Sequence, residues 1–239
     1  MRRLLLLALL TPMLSFCQMK NVVSTFRVFP KVGMAMEFEK AFKAHAAKYH
    51  TGDWKWRVFE IQSGPDAGGF MVAEGPLTWD QFDKRGDLGA AHTADWAKMV
   101  MPYTADRGTQ DYSEYDADMS TVKLTDYTDK IMINHIYPKP GMVIKLQDLT
   151  KKFKAVWTAG NESVAVYKTV GSGEPQLITV LRMKDGLKEL ASDYRKPMPE
   201  RYNAVNGPNS WDDYVKDFSS SVDRRWSELL FLRKDMSSK

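Results

Sequence analysis

The chain has 239 residues, with 34 lysines and arginines, 30 aspartates and glutamates, and a formal net charge of +4. The basic residues are interleaved with acids instead of forming one basic face, which argues against a nucleic-acid partner. The single cysteine, Cys17, excludes an intrachain disulfide.

Residues 1–17 have the pattern of a secretory signal peptide. A basic start precedes an apolar run at 4–10 and small residues at alternate positions before Gln18. The run is too short to cross a bilayer, which takes about 20 apolar residues, so no membrane span is predicted. We therefore expect a periplasmic or secreted protein, cleaved before Gln18. A lipoprotein acylated at Cys17 is the less favoured alternative, because the large Phe16 precedes the cysteine.

The chain that follows begins with one βαββαβ pattern, predicted to span 18–121. A β-rich strand at 22–29 ends at a Pro/Gly turn and leads into a helix whose apolar residues recur at helical spacing up to His45. Two strands, a second helical region and a closing strand follow, at 54–62, 69–74, 79–103 and 111–118. This is the order of a ferredoxin-like split βαβ unit.

Residues 122–239 repeat the same order. Residues 29–34 match 137–142 without a gap, and the same offset pairs Val58 with Val166. The predicted strands of this unit are 131–137, 163–170, 176–183 and 225–234, with helical segments at 144–153, 187–190 and 214–222. About ten extra residues within 195–210 contain prolines and an Asn-Gly-Pro turn, which predicts an inserted loop. This loop is either a lid over a pocket or a surface excursion.

The fold class predicted from this pattern is α+β, with two ferredoxin-like repeats in tandem. One face of each four-stranded sheet is covered by its own helices, and the other face needs a further layer. Because the second repeat can supply that layer, we expect the two sheets to face each other in an intrachain α/β barrel. The same reasoning predicts a monomer in solution.

The residues at the repeated turns resemble those of the dimeric α/β-barrel superfamily, particularly its antibiotic-biosynthesis-monooxygenase-like branch. The resemblance is carried by strands that end in 31–33 and 139–141, and by the strings 78–82 and 91–96. It covers nearly the whole chain after the signal peptide. That superfamily includes cofactor-free monooxygenases, haem-binding enzymes and members without known activity, so the fold by itself does not identify a function.

The resemblance also implies a haem-binding site, and two residues partly match those of the haem-degrading members. Haem-degrading members carry a haem-ligating histidine in the region of His92, and an asparagine that matches Asn134. They further need a tryptophan after the third strand, where this chain has Met183. Because these elements never occur together in one repeat, we expect no haem cofactor; a haemin titration would test this.

His135 is the favoured catalytic candidate. Strand alternation places it on one face with Tyr137, while Arg27 holds the equivalent position in the first repeat. With Trp56 and Glu60 they are predicted to form a polar patch in an aromatic-lined pocket, where His135 would act as a base. The alternative is an inter-sheet hydrogen-bond network that fixes the barrel.

Three functional classes remain open at this stage. The first is an exported small-molecule-binding barrel, with candidate ligand-binding residues Arg27, Asn134, Tyr137, Trp56, Glu60 and His92. The second is a cofactor-independent monooxygenase acting on a small aromatic substrate, and the third is a structural or interaction module without an open pocket. No metal site is predicted, because the four histidines show none of the usual zinc-ligand spacings.

Overall fold

The computed structural model describes residues 21–85 and 88–239, so the predicted signal peptide lies outside the described residues. The strands are β1 (Val22–Pro30), β2 (Trp56–Ile61), β3 (Phe70–Leu77), β4 (Thr104–Tyr115), β5 (Lys130–Pro138), β6 (Val164–Thr169), β7 (Leu177–Arg182) and β8 (Val222–Leu232). The helices are α1 (Ala35–Tyr49), α2 (Trp79–Arg85), α3 (Ala90–Asp95), α4 (Val143–Ala159), α5 (Met198–Asn206) and α6 (Ser210–Ser221).

The strands close into one antiparallel barrel in the order β1-β3-β2-β8-β5-β7-β6-β4. Within each half the first strand pairs with the third and the fourth, as in a ferredoxin-like unit. The halves join where β2 pairs with β8 and where β4 pairs with β6. The predicted α+β class, with two ferredoxin-like repeats facing each other, is confirmed.

The core has three layers because each sheet buries both of its faces. In the first half, Phe38 and Phe42 of α1 pack on the outer face of the sheet against Val58. In the second half, Leu146 of α4 packs on the outer face of its sheet. The inner faces meet in a cluster of apolar side chains that includes Leu230, which is fully buried.

One predicted strand boundary and one predicted loop were wrong. Strand β4 begins at Thr104 instead of 111. Residues 106–110 are exposed and contain no apolar side chains, so they lack the alternating pattern that predicts a strand. The predicted inserted loop contains the helix α5, which starts just after Pro197 and has Pro199 in its first turn. Proline is compatible with a helix start, because the first amide groups have no intrahelical acceptor.

In the described residues, no helix is both long and apolar enough to cross a membrane.

Candidate functional site

The barrel interior holds a charged network centred on Glu228, whose side chain has no exposed surface. Arg27 donates from Nη1 to Glu228 Oε2 at 2.8 Å, and its Nη2 donates to Oε1. His135 Nε2 lies 2.9 Å from Glu228 Oε1. Arg27 belongs to the first half, whereas His135 and Glu228 belong to the second. The network therefore ties the two sheets together through side chains.

The surroundings stabilise the ionised form of Glu228. Burial by itself would raise the pKa of this carboxyl, but the hydrogen bonds and charges of Arg27 and His135 outweigh burial and hold the pKa below its usual range. Burial alone would lower the pKa of the Arg27 guanidinium, but Glu228 and then Asp66, whose Oδ2 lies 3.0 Å from Nη1, outweigh burial and raise that pKa. Arg27 and Glu228 are thus a charged pair.

His135 has little freedom to act as a base. Its Nδ1 lies 2.9 Å from Gln176 Oε1, so both ring nitrogens have partners, and its ring stacks on Trp226 with centroids 3.9 Å apart. The lumen cavity beside it measures about 100 Å³, below the roughly 300 Å³ at the low end for ligand pockets. This geometry favours the inter-sheet network over a catalytic role for His135.

The predicted grouping of Trp56 and Glu60 with His135 was wrong. Both residues lie on the outer face of β2, away from the lumen, where Trp56 donates to Glu74 at 3.1 Å and Glu60 accepts from Arg233 at 3.2 Å. Alternation does not tell which face of a strand points inward when both faces are buried.

Tyr137 also lies away from the lumen cavity. Its ring contacts the exposed guanidinium of Arg224, 3.7 Å from the ring centroid. The residue missed by sequence reasoning was Glu228. The available signal was an acidic residue set among apolar residues in the last predicted strand.

A larger cavity lies between the second sheet and its helices. It measures about 480 Å³, within the roughly 300–1,000 Å³ of small-molecule sites. Aromatic rings from α4 and α6 form much of the wall; Phe153 and Tyr214 are 4.7 Å apart at their centroids, and Trp211 stacks on Tyr214 at 5.3 Å. Burial raises the pKa of Tyr214, so its phenol is neutral.

The sheet side of this cavity carries several polar side chains among apolar ones. Ser227 donates to Asn134 Oδ1 at 2.7 Å, and Asn134 Nδ2 donates to Thr179 Oγ1 at 3.0 Å. Arg225 also lines the cavity, and it makes no ion pair with any residue of the described ranges. Asn134 thus lines this cavity, on the face of β5 opposite His135.

Helix α5 covers one side of the cavity. Tyr202, 2% exposed, packs its ring on Phe153, Trp211 and Tyr214 at centroid distances of 5.2, 5.7 and 5.0 Å. Arg201 pairs with Glu162 of the loop before β6. The insertion is therefore packed against the pocket wall, as the lid interpretation requires.

The corresponding cavity of the first half measures about 270 Å³ and has a different lining. It includes Trp56, whose ring stacks on His50 with centroids 3.4 Å apart. His92 also lines it, and His45 lies behind with its ring 4.8 Å from that of His92. One ring nitrogen of each histidine lies within 4.8 Å of the other two.

The residues present do not fit a haem ligated by His92. His92 Nε2 lies 3.4 Å from His50 Nε2, so an iron bound to one would meet the other on the same side. A porphyrin occupies the four equatorial positions and leaves two axial positions on opposite faces, so two adjacent histidines cannot both be accommodated. Asn134 lies in the cavity of the other half.

No protein-family model matches the sequence, and no curated protein matches it. The fold matches several solved structures. A candidate monooxygenase from Fusobacterium nucleatum has a TM-score of 0.59 at 9% identity, over 90% of this chain and 93% of that chain. An anthrone oxidase-like protein has a TM-score of 0.57 at 14% identity, over 90% and 92%. A candidate monooxygenase from Lactobacillus acidophilus has a TM-score of 0.51 at 8% identity, over 92% and 96%.

At these identities the likeness concerns the fold, and the covered shares show that it extends over both halves of the chain. The protein has the fold of the dimeric α+β barrel proteins, with both ferredoxin-like halves in one polypeptide.

Proposed function

We propose that this protein binds a small aromatic molecule carrying an acidic group, in the cavity between the second sheet and helices α4 and α6. The observation that carries the proposal is the 480 Å³ volume with its aromatic wall. A cavity of that size walled by Phe153, Trp211 and Tyr214 favours a flat apolar ligand. It also argues against a module without an open pocket.

The acidic group is inferred from Arg225. This exposed guanidinium lines the cavity without an acidic partner in the described part of the chain. A carboxylate or phenolate of the ligand would supply the missing negative charge, through charge-assisted hydrogen bonds. Asn134 and Ser227 lie on the same sheet face and can orient polar substituents.

Two matched probes test this proposal: 1-hydroxy-2-naphthoate and the uncharged 1-naphthol, each titrated into the protein and followed by fluorescence. We expect the naphthoate to bind more tightly than the naphthol. Arg225→Gln should weaken naphthoate binding about 10- to 100-fold, the effect of losing one charged hydrogen bond of about 1.5–3 kcal/mol. The same variant should leave naphthol binding unchanged.

Arg224→Gln is the matched control, because Arg224 is the neighbouring arginine and does not line the cavity. It should bind both probes as the unaltered protein does. If neither probe binds saturably, the pocket proposal is refuted. Equal naphthoate affinity in both variants would refute the role given to Arg225.

A second candidate function is a cofactor-independent monooxygenase-like activity in the same cavity. It is supported by the likeness in fold to two candidate monooxygenases and an anthrone oxidase-like protein. Oxygen consumption with dihydroxy-aromatic compounds would test it. The activity should be lost when Trp211 is replaced with alanine, and should persist in His135→Gln if the barrel network has no catalytic part.

We further propose that the protein is exported, that residues 18–121 and 122–239 arose by tandem duplication, and that the barrel is monomeric. The matching strand order of the two halves supports the duplication. Mass spectrometry of protein expressed with its leader should give a first residue of Gln18, and light scattering should give the mass of one chain. An acylated Cys17 or a stable dimer would contradict these proposals.

A further inference from the structure

We propose that His45, His50 and His92 bind one divalent transition-metal ion of the zinc and copper type, with a fourth coordination position open to the first-half cavity. His45 lies on α1, His50 directly follows that helix, and His92 lies on α3. This site is independent of the aromatic cavity in the second half.

The distances between the nitrogens suit a single ion. Metal–imidazole bonds of about 2.0–2.1 Å place tetrahedral ligand nitrogens about 3.3 Å apart. His50 Nε2 and His92 Nε2 are 3.4 Å apart. The ligand atoms of all three histidines lie within 4.8 Å of one another, so small movements of the rings would bring all three onto one ion.

His45 is held as a metal ligand would be. Its Nδ1 lies 2.9 Å from Asp95 Oδ2, and its Nε2 is buried with no hydrogen-bond partner among residues 21–85 and 88–239. A carboxylate on one ring nitrogen fixes the tautomer and directs the other nitrogen at a metal. The residue is 1% exposed, so water does not readily satisfy Nε2.

His50 repeats the arrangement with a different carboxylate. The ring is fully buried, and its Nδ1 lies 3.6 Å from Glu74 Oε2, slightly beyond hydrogen-bond distance. The opposite nitrogen, Nε2, is the one that approaches His92. Both His45 and His50 therefore have a carboxylate beside Nδ1, and each offers a ring nitrogen to the cluster.

The donor set indicates the class of metal. Three imidazoles favour zinc, copper or nickel, whereas calcium and magnesium prefer oxygen ligands. Three protein ligands leave a position free, as in zinc sites that bind water or a substrate. His50 and His92 line the 270 Å³ cavity, which gives water or a small ligand access to that position.

Ordinary core packing accounts less well for this cluster. Packing explains the ring stack of His50 on Trp56, but it leaves His45 Nε2 without a partner in the described part of the chain. Buried polar atoms in native proteins nearly always have partners, and those that do not call for an explanation such as a missing ion. A bound metal supplies that partner.

The test is a titration of the full chain, first treated with a chelator, with Zn²⁺ followed by calorimetry and with Cu²⁺ followed by tryptophan fluorescence. We expect one ion per chain, with a dissociation constant in the micromolar range or below. Copper should quench the fluorescence, because Trp56 stacks directly on the ligand His50. A folded protein that shows no saturable binding of either ion below 1 mM would overturn the proposal.

Variants locate the binding. His92→Ala, at a half-buried residue of a short helix, should weaken Zn²⁺ binding at least 100-fold. Asp95→Asn, which keeps all three ligands, should weaken it about 10-fold or more, as loss of a carboxylate behind a ligand does. His135→Gln is the control for binding at another histidine and should leave the affinity unchanged. Unchanged Zn²⁺ affinity in folded His92→Ala and Asp95→Asn would overturn the assignment of these residues.

Discussion

Replacing Glu228 with glutamine should lower the free energy of unfolding by about 3–5 kcal/mol, the cost of removing one partner from a buried ion pair. The variant keeps the size of the side chain but removes the charge that both Arg27 and His135 contact. Arg27 then keeps Asp66 as its remaining acidic partner among the described residues, at 3.0 Å. Urea unfolding followed by circular dichroism at pH 7 measures the loss.

Glu60→Gln is the matched control for this prediction. Glu60 also pairs with an arginine, Arg233, at 3.2 Å, but its side chain is 37% exposed. Exposed pairs contribute about 0–1 kcal/mol, so this variant should lose no more than that. If Glu228→Gln is as stable as Glu60→Gln, the network does not hold the two sheets together.

The stability difference between Glu228→Gln and the unaltered protein should depend on pH. The pKa of Glu228 in the folded state lies below its ordinary value of 4.5. Its contribution is therefore fully present above pH 4.5 and is lost as the pH falls through the lowered pKa. The two unfolding free energies should converge in acid. A constant difference between pH 7 and pH 3 would contradict the assignment of a stabilising carboxylate.

Replacing Tyr202 with alanine should cost about 3–5 kcal/mol, the usual loss for a buried aromatic side chain. Tyr202 joins helix α5 to the aromatic wall through ring contacts with Phe153, Trp211 and Tyr214. Its removal leaves a void between α5 and α6, so naphthoate binding in the adjacent cavity should also weaken. Thermal unfolding and the probe titration measure the two effects.

Tyr194→Ala is the control for Tyr202→Ala. Tyr194 immediately precedes the same insertion, and its hydroxyl donates a hydrogen bond to Asp185 at the protein surface. Tyr194 is half-buried, so substitution there should cost about 1 kcal/mol, the net contribution of one hydrogen bond. A Tyr202→Ala variant that is equally stable would show that α5 is not anchored through this ring.

The sequence predicted the order of elements well, because each strand and helix has its own local pattern. The match between 29–34 and 137–142 correctly indicated two like halves. Strand faces were harder to predict. Arg27 and His135 do share the lumen, but Trp56 and Glu60 point outward. The sequence did not reveal this, because β2 buries apolar residues on both faces and either face could have been the inner one.

The candidate sites depended on contacts between distant residues. His45 and His92 come together through the packing of α3 on the end of α1. Motif spacing in the sequence does not reveal that contact. Glu228 was overlooked for the same reason, since its partner Arg27 lies in the other half. Sequence patterns of local periodicity carry no information about such pairs.

The presence of both halves in one polypeptide also removes a symmetry constraint. In a barrel built from two identical chains, an isologous interface repeats every contact twice. In this chain Glu228 lies opposite Ile133, and Asp111 holds the equivalent place opposite Thr25. Glu228 contacts both Arg27 and His135, whereas Asp111 makes no ion pair with any described residue. A single polypeptide can thus hold an unsymmetrical charge arrangement at the centre of a nearly symmetrical scaffold, and each half can specialise its own cavity.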